Sequence, residues 1–359
     1  MSISSRPRAL IVTTTALAAV ALLAPLTSTS AEAARRGQSG PAYKSDVVGT
    51  RSAPTPDSAY GTTSVGIASS GAVLATRIGG NAYLGQPART RELASADALG
   101  AHGTWSLVLN PVGQAYSGSR EGVLRWPSPA KVDIDRTITA DGSYYGPSLG
   151  GVNSRGDVAG CDVSVKTGQP FIGRYGRQNM KLMNWPTGWG NCRAAGISER
   201  GVAAITQEHP SYRDDNLFPR AATMTTSGVR YLPAPKGVGT SADGISPTGT
   251  YIVGRSYTDG QPTGAVLWTN GRKFSPMRGA EAMTPKAVTD TGMVVGEENG
   301  RVVTWERGRK TDLTSVSKLP RNWVLTSVAG INGKGQIAVT ATVGATNETV
   351  AMRLTPTKR

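Results

Sequence analysis

The chain has 359 residues and a formal net charge of +15, from 39 Lys and Arg against 24 Asp and Glu. Its 38% of hydrophobic residues can build a large core and excludes a disordered chain. Two histidines and two cysteines are too few for a His-rich metal site, a four-thiolate zinc site or an iron–sulfur cluster. We therefore expect no metal and no cofactor.

Residues 1–33 have the pattern of a secretory signal peptide. Two arginines precede the apolar stretch Ala9–Leu26, and Ala31-Glu32-Ala33 forms a small-x-small cleavage site. A membrane anchor is the alternative, because the apolar stretch is nearly long enough to span a bilayer. We predict cleavage, a short tail over residues 34–42, and an extracellular protein with no transmembrane segment in its mature chain.

Export into an oxidising compartment predicts that Cys161 and Cys192 form a disulfide. Two separate buried thiols are the alternative. A bridge between these residues would close a loop of about 30 residues and contribute about 3–4 kcal/mol in the chain-entropy description.

A repeat fills the remainder of the chain. Seven segments place a glycine at intervals of 42 to 48 residues, with a small or turn-prone residue three positions before it. This is the chemistry of a hairpin turn, in which glycine adopts a left-handed conformation without a Cβ clash. The seven glycines are Gly71, Gly113, Gly156, Gly201, Gly249, Gly292 and Gly335.

Each repeat contains four short β-rich runs, which we name strands A to D from the inside outward. Four strands and a period of about 44 residues are typical of a propeller blade. A linear β-solenoid is the alternative, but short and long loops alternate within each unit. The sequence predicts an all-β, seven-bladed β-propeller over residues 43–359, with four antiparallel strands per blade. Tyr43–Val48 supplies the missing outer strand of the last blade, and so closes the ring.

The repeats resemble the HAF-type extracellular repeats of bacteria. Gly330-Ile331-Asn332 with Gly335 matches the first part of that unit, and Val294-Val295-Gly296 with Trp305 matches the second. The resemblance implies a secreted β-propeller. Similar propellers serve as binding platforms, and some are enzymes, so the resemblance names no ligand.

The B–C and D–A connections share one face of the predicted propeller, which we call the long-loop face. Exposed Trp and Tyr side chains there can stack on sugar rings, so we predict a binding site. The alternative is that they fill gaps between blades, as we expect for Trp126, Trp268 and Trp305, which recur at one strand position. The predicted binding residues are Trp185, Trp189, Tyr144, Tyr145, Tyr212, His209 and Trp323.

The same face carries carboxylates that could form an acid–base pair. No nucleophile elbow, zinc-protease or phosphate-binding-loop motif occurs in the sequence, so we assign no catalytic residue. The candidate acids are Asp162, Asp214, Asp215, Asp243, Asp259, Glu297 and Glu298.

The A–B and C–D turns share the other face, which we call the tight-turn face. It is rich in basic residues, which attract anionic polymers, although general solubility charge is the alternative. The predicted binding residues of this face are Arg272, Lys273, Arg307, Arg309, Lys310 and Lys334, and the other basic residues of its turns are Arg89, Arg91, Lys131, Arg155, Arg177, Arg200 and Arg230.

These features predict a secreted, monomeric, non-catalytic binding protein. Its predicted partner is a polysaccharide or an anionic cell-wall polymer, with extracellular nucleic acid less favoured. Two alternatives stay open. One is a secreted polysaccharide-active hydrolase or lyase that uses carboxylates on the long-loop face. The other is a protein–protein scaffold, which requires an exposed apolar patch.

Overall fold

A computed structural model describes ten stretches of the chain. They are residues 43–48, 62–77, 82–86, 89–95, 106–138, 147–162, 168–185, 191–208, 218–344 and 348–357. The predicted signal peptide and tail lie outside the described residues. Among the described residues, no helix has both the length and the apolar character needed to cross a membrane.

Seven β-sheets form the blades of a propeller, which confirms the predicted fold class. The strands of blades one to three are β2 Thr62–Ile67, β3 Val73–Arg77, β4 Ala82–Gln86, β5 Arg89–Glu92, β6 Leu107–Leu109, β7 Ala115–Ser119, β8 Gly122–Ser128, β9 Lys131–Asp135, β10 Ser148–Val152, β11 Asp157–Cys161, β12 Pro170–Arg174 and β13 Lys181–Leu182. Those of blades four to six are β14 Asn191–Ile197, β15 Ala203–Glu208, β16 Arg220–Thr225, β17 Gly228–Tyr231, β18 Gly239–Ile245, β19 Tyr251–Thr258, β20 Gln261–Thr269, β21 Lys273–Pro276, β22 Thr284–Val288, β23 Val294–Glu298, β24 Arg301–Glu306 and β25 Arg309–Asp312. The elements of blade seven and the connection to it are β1 Tyr43–Val47, α1 Leu313–Val316, β26 Ser317–Lys318, β27 Trp323–Ile331, β28 Ile337–Val343 and β29 Glu348–Pro356.

The ring closes as predicted, through strand β1. β1 pairs antiparallel with β29, with Tyr43 opposite Pro356, and so supplies the outer strand of the last blade. The short strand β26 pairs in parallel with β1 and adds a fifth strand to this sheet. This fifth strand was not predicted from the sequence. Arg353 of β29 reinforces the closure, because its guanidinium binds Asp46 of β1 at 3.1 Å and the Gly71 carbonyl of blade one at 3.0 Å.

The A–B turn explains why each repeat has a turn-prone residue three positions before its glycine. Blade three is an example. Gly156 has φ +78° and donates its N–H to the Asn153 carbonyl at 3.1 Å. The Asn153 side chain accepts the Asp157 N–H at 3.0 Å and donates to the Ser198 carbonyl of blade four at 3.1 Å. A buried asparagine at this position therefore closes its own turn and also links neighbouring blades.

The core is divided into apolar layers, one between each pair of adjacent blades in the described part of the chain. Three tryptophans fasten these layers, as expected. The indole N–H of Trp126 donates to the Ala94 carbonyl at 2.8 Å. Trp268 and Trp305 donate in the same way to the carbonyls of Pro233 and Arg278, each just after the outer strand of the preceding blade. The layer between blades seven and one has only Val48, Val73 and Ala338 as buried members, so polar closure contacts matter most there.

The inner strands carry a recurrent β-bulge six residues before the turn glycine. The unpaired residues at this position are Val65, Gly150, Ala195, Asp243, Lys286 and Ala329. The next residue is usually a glycine, because adjacent inner strands approach backbone to backbone. A Cβ on Gly244 would lie 2.7 Å from the Lys286 carbonyl oxygen. A bulge turns a side chain away from the regular alternation of a strand, so this position is where the ring can present special chemistry.

The B–C connections of blades two, five and six are two-residue turns and not long loops; in blade five, Asp259 and Gly260 both have positive φ, as a type I′ turn requires.

The predicted disulfide is present, with Sγ–Sγ 2.04 Å. Cys161 ends β11 and Cys192 lies in β14, so the bridge joins blades three and four.

Candidate functional site

The inner-strand bulges place charge at two neighbouring positions of the ring. Of the six bulged residues, Asp243 in blade five and Lys286 in blade six are the charged ones. Their strands, β18 and β22, are in contact. The bulges of blades five and six therefore carry charge, where the other four bulges have Val, Ala or Gly.

Asp243 is a buried carboxylate held between two arginines. Its side chain is 5% exposed. Oδ1 lies 2.9 Å from an Nη atom of Arg193 in blade four, and Oδ2 lies 3.3 Å from Nε of Arg255 in blade five. A buried carboxylate requires such partners, because an unpaired charge away from water is strongly unfavourable.

Arg193 links this carboxylate to a second one. Its Nε lies 3.4 Å from Oε1 of Glu208, at the end of β15 on the long-loop face. Burial acts to lower the pKa of Arg193, but the charges of Asp243 and Glu208 outweigh it and hold that pKa above its usual value. Arg193 therefore stays a cation, and its side chain is still 41% exposed.

Arg255 completes the group together with a phenol. Its guanidinium carbon lies 5.7 Å from the ring centre of Tyr257. The Tyr257 hydroxyl lies 3.4 Å from Oγ of Ser241, which is itself 3.4 Å from Oδ2 of Asp243. We call Arg193, Glu208, Ser241, Asp243, Arg255 and Tyr257 the inner-strand cluster.

Lys286 and Glu297 form a neighbouring pair in blade six, with Nζ and Oε2 3.7 Å apart. Glu297 also accepts from Oγ of Ser327 at 2.7 Å and from the Val328 N–H at 3.1 Å, both in blade seven. This acid, a predicted catalytic candidate, is therefore occupied in fastening blade six to blade seven.

The predicted aromatic binding residues do not form a common surface in the described part of the chain. Trp185 is only 4% exposed and packs between blades three and four, so for this residue the gap-filling alternative is correct. Trp323 begins β27 and packs against the apolar layer between blades six and seven. The other predicted members, Tyr144, Tyr145, Trp189, His209 and Tyr212, lie outside the described residues, as do Asp214 and Asp215.

The predicted basic residues fall into three groups. Lys310 is not an unpaired cation, because its Nζ binds Glu298 at 2.8 Å. Arg272 and Lys273 line a cavity on the tight-turn face. Arg307, Arg309 and Lys334 are exposed at or beside the tight turns of blades six and seven.

The described residues contain no group of three or more His, Cys, Asp or Glu that could hold a metal ion. Their exposed large apolar side chains are Val47, Val112, Leu182 and Val324, which belong to different blades or strands. They form no continuous patch of the kind that a protein–protein scaffold requires.

Sequence reasoning named Asp243 but missed Arg193, Arg255 and Tyr257. A signal for them was present. Asp243 lies six residues before Gly249, at the bulge position, and two of the missed residues lie on the strand that pairs with β18. Arg193, by contrast, is 50 residues away in sequence and meets Asp243 only through the packing of blade four on blade five.

No family model and no curated protein matches the chain. Among solved structures, the chain is similar to oligogalacturonate lyase from Vibrio parahaemolyticus, with a TM-score of 0.60 and 11% identity over 88% of this chain and 97% of that one. An oligogalacturonate lyase in complex with manganese gives a TM-score of 0.59 at 12% identity, over 88% and 97%. Virginiamycin B lyase from Staphylococcus aureus gives 0.55 at 12% identity, over 88% and 100%.

At these identities the likeness shows a shared fold. The comparisons nevertheless contradict the prediction of a non-catalytic binding protein, because propellers that match most of this chain are lyases. The chemistry available to this chain has to be argued from its own side chains.

Proposed function

We propose that the protein is a secreted enzyme that cleaves a carboxylated oligosaccharide by elimination at the inner-strand cluster. The observation that carries this proposal is the pair of guanidinium groups, Arg193 and Arg255, fixed by one buried carboxylate beside the Tyr257 phenol. This arrangement supplies fixed cations and a proton-transfer group within one accessible site.

Elimination next to a carboxylate has two requirements. The substrate carboxylate must be neutralised so that the adjacent carbon can lose its proton, and a group must move that proton. Nη1 of Arg193 and both Nη atoms of Arg255 make no hydrogen bond to the described residues, so they can bind a substrate carboxylate. Guanidinium matches the planar geometry of a carboxylate.

Tyr257 is the proton-transfer group in this proposal. Acting as the phenolate, it takes the proton from the carbon next to the carboxylate and becomes the neutral phenol, and the electron pair of that C–H bond forms a carbon–carbon double bond. The neighbouring carbon–oxygen bond breaks, and Tyr257 returns the proton to the departing oxygen. Protons and electrons balance without a further reactant, and the product has an unsaturated uronate end.

Hydrolysis by paired carboxylates, the other enzymatic alternative, fits the cluster less well. Such a mechanism needs one carboxyl group free to donate a proton. Asp243 is bound by two guanidinium groups and Glu208 by one of the same two. These acids are engaged in positioning the arginines.

Two further observations support the proposal. The oligogalacturonate lyases in the comparison act, as their names state, on an acidic sugar. A disulfide is present, and disulfides persist in oxidising compartments outside the cytosol, which agrees with the secretory pattern of residues 1–33. HAF-type repeats are also typically extracellular.

The test is incubation of the purified protein with oligogalacturonate, alginate and hyaluronate. The expected result is an increase in ultraviolet absorbance from the unsaturated product on at least one substrate. Tyr257→Phe should lower kcat by about 100-fold or more, as loss of a general acid–base group does. Arg255→Lys should mainly raise KM, because a lysine cannot bind a carboxylate with two parallel hydrogen bonds.

Tyr251→Phe is the matched control, since Tyr251 lies on the same strand at its opposite end. It should retain the activity of the unmodified protein. New reducing ends without the ultraviolet signal would identify hydrolysis and reject elimination. Full activity of Tyr257→Phe would reject the assigned role of the phenol.

A further inference from the structure

The tight-turn face has two adjoining cavities with an unusual charge balance. One lies between blades three and four, has a volume of about 610 Å³ and is lined by Arg155, Arg174, Arg177 and Arg200. The second lies between blades four and five, has a volume of about 820 Å³ and shares Arg200 with the first. Its other basic residues are Arg230, Arg272 and Lys273.

Few acids balance these seven basic side chains. The acid in the lining is Asp157, and it already binds Arg155 at 2.6 Å and Arg174 at 2.8 Å. The side-chain nitrogens of the remaining five, Arg177, Arg200, Arg230, Arg272 and Lys273, make no ion pair or hydrogen bond with the described residues, and all five residues are exposed.

Other acids on this face are committed elsewhere. Glu199 accepts hydrogen bonds from the N–H and hydroxyl of Ser154 across the boundary between blades three and four. Asp290 accepts from the N–H and hydroxyl of Thr248 at 2.9 and 2.6 Å. Both carboxylates fasten blades together, and neither makes an ion pair with these basic side chains.

Like charges gathered without acids repel one another, and this repulsion is relieved when an anion binds. Guanidinium groups bind tetrahedral phosphate through charge-assisted hydrogen bonds, and several can share one phosphate group. Each cavity is far larger than one phosphate group, which occupies a volume only a few times that of a water molecule, itself about 30 Å³. The unpaired cations are divided between both cavities, so a ligand that contacts all of them carries several linked phosphates.

We propose that the two cavities form one binding site for a ligand with two or more linked phosphate groups, with Arg200 contacting the ligand in both cavities. The lining contains Thr225, Thr226, Thr248 and other hydroxyl or amide side chains but no aromatic one. Without an aromatic platform there is nothing on which nucleic-acid bases can stack, so recognition is of the phosphates themselves.

The site is separate from the inner-strand cluster. It is built from A–B and C–D turns of blades three to five, and none of its lining residues belongs to that cluster. Binding here can therefore be measured independently of any catalytic activity.

Isothermal titration calorimetry with inorganic tripolyphosphate tests the proposal. Tripolyphosphate should bind with a dissociation constant that rises with salt, and orthophosphate should bind about tenfold more weakly, because it fills one cavity at most. Arg200→Gln should weaken tripolyphosphate binding by about tenfold or more, the usual effect of losing a charge-assisted hydrogen bond. Arg230→Gln should also weaken it, while Arg321→Gln, at an exposed arginine between β26 and β27, should change it less than about twofold.

A short DNA duplex distinguishes two sources of this chemistry. Duplex binding that Arg200→Gln weakens assigns the phosphates to a nucleic-acid backbone, and its absence assigns them to a short polyphosphate. Equal effects of Arg200→Gln and Arg321→Gln, with both variants folded by circular dichroism, would overturn the proposal. Tighter binding of a sulfated oligosaccharide than of tripolyphosphate at equal salt would also overturn it.

Discussion

Reduction of the disulfide should lower the free energy of unfolding by a predictable amount. Cys161 and Cys192 are 31 residues apart. For a loop of that length the chain-entropy relation gives about 12 cal/mol/K of lost entropy in the unfolded chain, or about 3.7 kcal/mol at room temperature. Both sulfur atoms remain after reduction, so the packing around the buried Cys161 is retained and the measured change reports on the crosslink.

The assay is urea unfolding followed by tryptophan fluorescence, with and without dithiothreitol, and linear extrapolation to water. The double variant Cys161→Ala/Cys192→Ala is the control, because dithiothreitol should leave its unfolding curve unchanged. A loss below about 1 kcal/mol on reduction of the unmodified protein would refute the reasoning. It would show that residual structure already restricts the unfolded chain between Cys161 and Cys192, so that the bridge removes little further entropy.

Three further perturbations test the ring itself. Burial, with a smaller contribution from Glu306, raises the pKa of Tyr43 to about 12. The unfolded chain then loses this proton first, so the stability that Tyr43 contributes should fall by up to about 2.7 kcal/mol between pH 10 and 12 and be constant below. Tyr43→Phe should remove that alkaline loss in unfolding titrations. Arg353→Met should lower the free energy of urea unfolding by about 2–3 kcal/mol, because two charge-assisted bonds across the closure are lost; a change below about 0.5 kcal/mol would contradict their importance. Asn153→Ala should lower it by about 1–3 kcal/mol, because the N–H groups of Arg155 and Asp157 lose their acceptor and the link to the next blade is lost; an unchanged unfolding midpoint would show that water replaces the amide.

The inner-strand cluster shows where prediction from the sequence stopped. Asp243 could be named as a long-loop-face acid, but its two arginine partners lie in different blades. Arg255 is 12 residues from Asp243 and on the pairing strand, whereas Arg193 is 50 residues away. A sequence states which residues are charged, but ion pairs between blades depend on strand twist, bulge position and the angle between sheets.

The same reason explains the aromatic residues. Trp185 lies in a polar, turn-rich segment, which predicted exposure on the long-loop face. In the folded protein it fills the apolar layer between blades three and four. A tryptophan in a connection can face solvent or a blade boundary, and only the packing of the two sheets decides between them.

The sequence by itself determined the architecture of this protein. The glycine of each A–B turn, the alternation of short β-rich runs and the spare strand at Tyr43 are local properties that repeat, so seven blades and their closure could be counted. Only the tertiary structure decided the chemistry. It set Asp243 between Arg193 and Arg255, paired Lys310 with Glu298, and left Arg200 and four neighbouring basic side chains without an ion pair to the described residues. The physical reason is that turns depend on neighbours in the chain, whereas sites depend on side chains that meet only when blades pack.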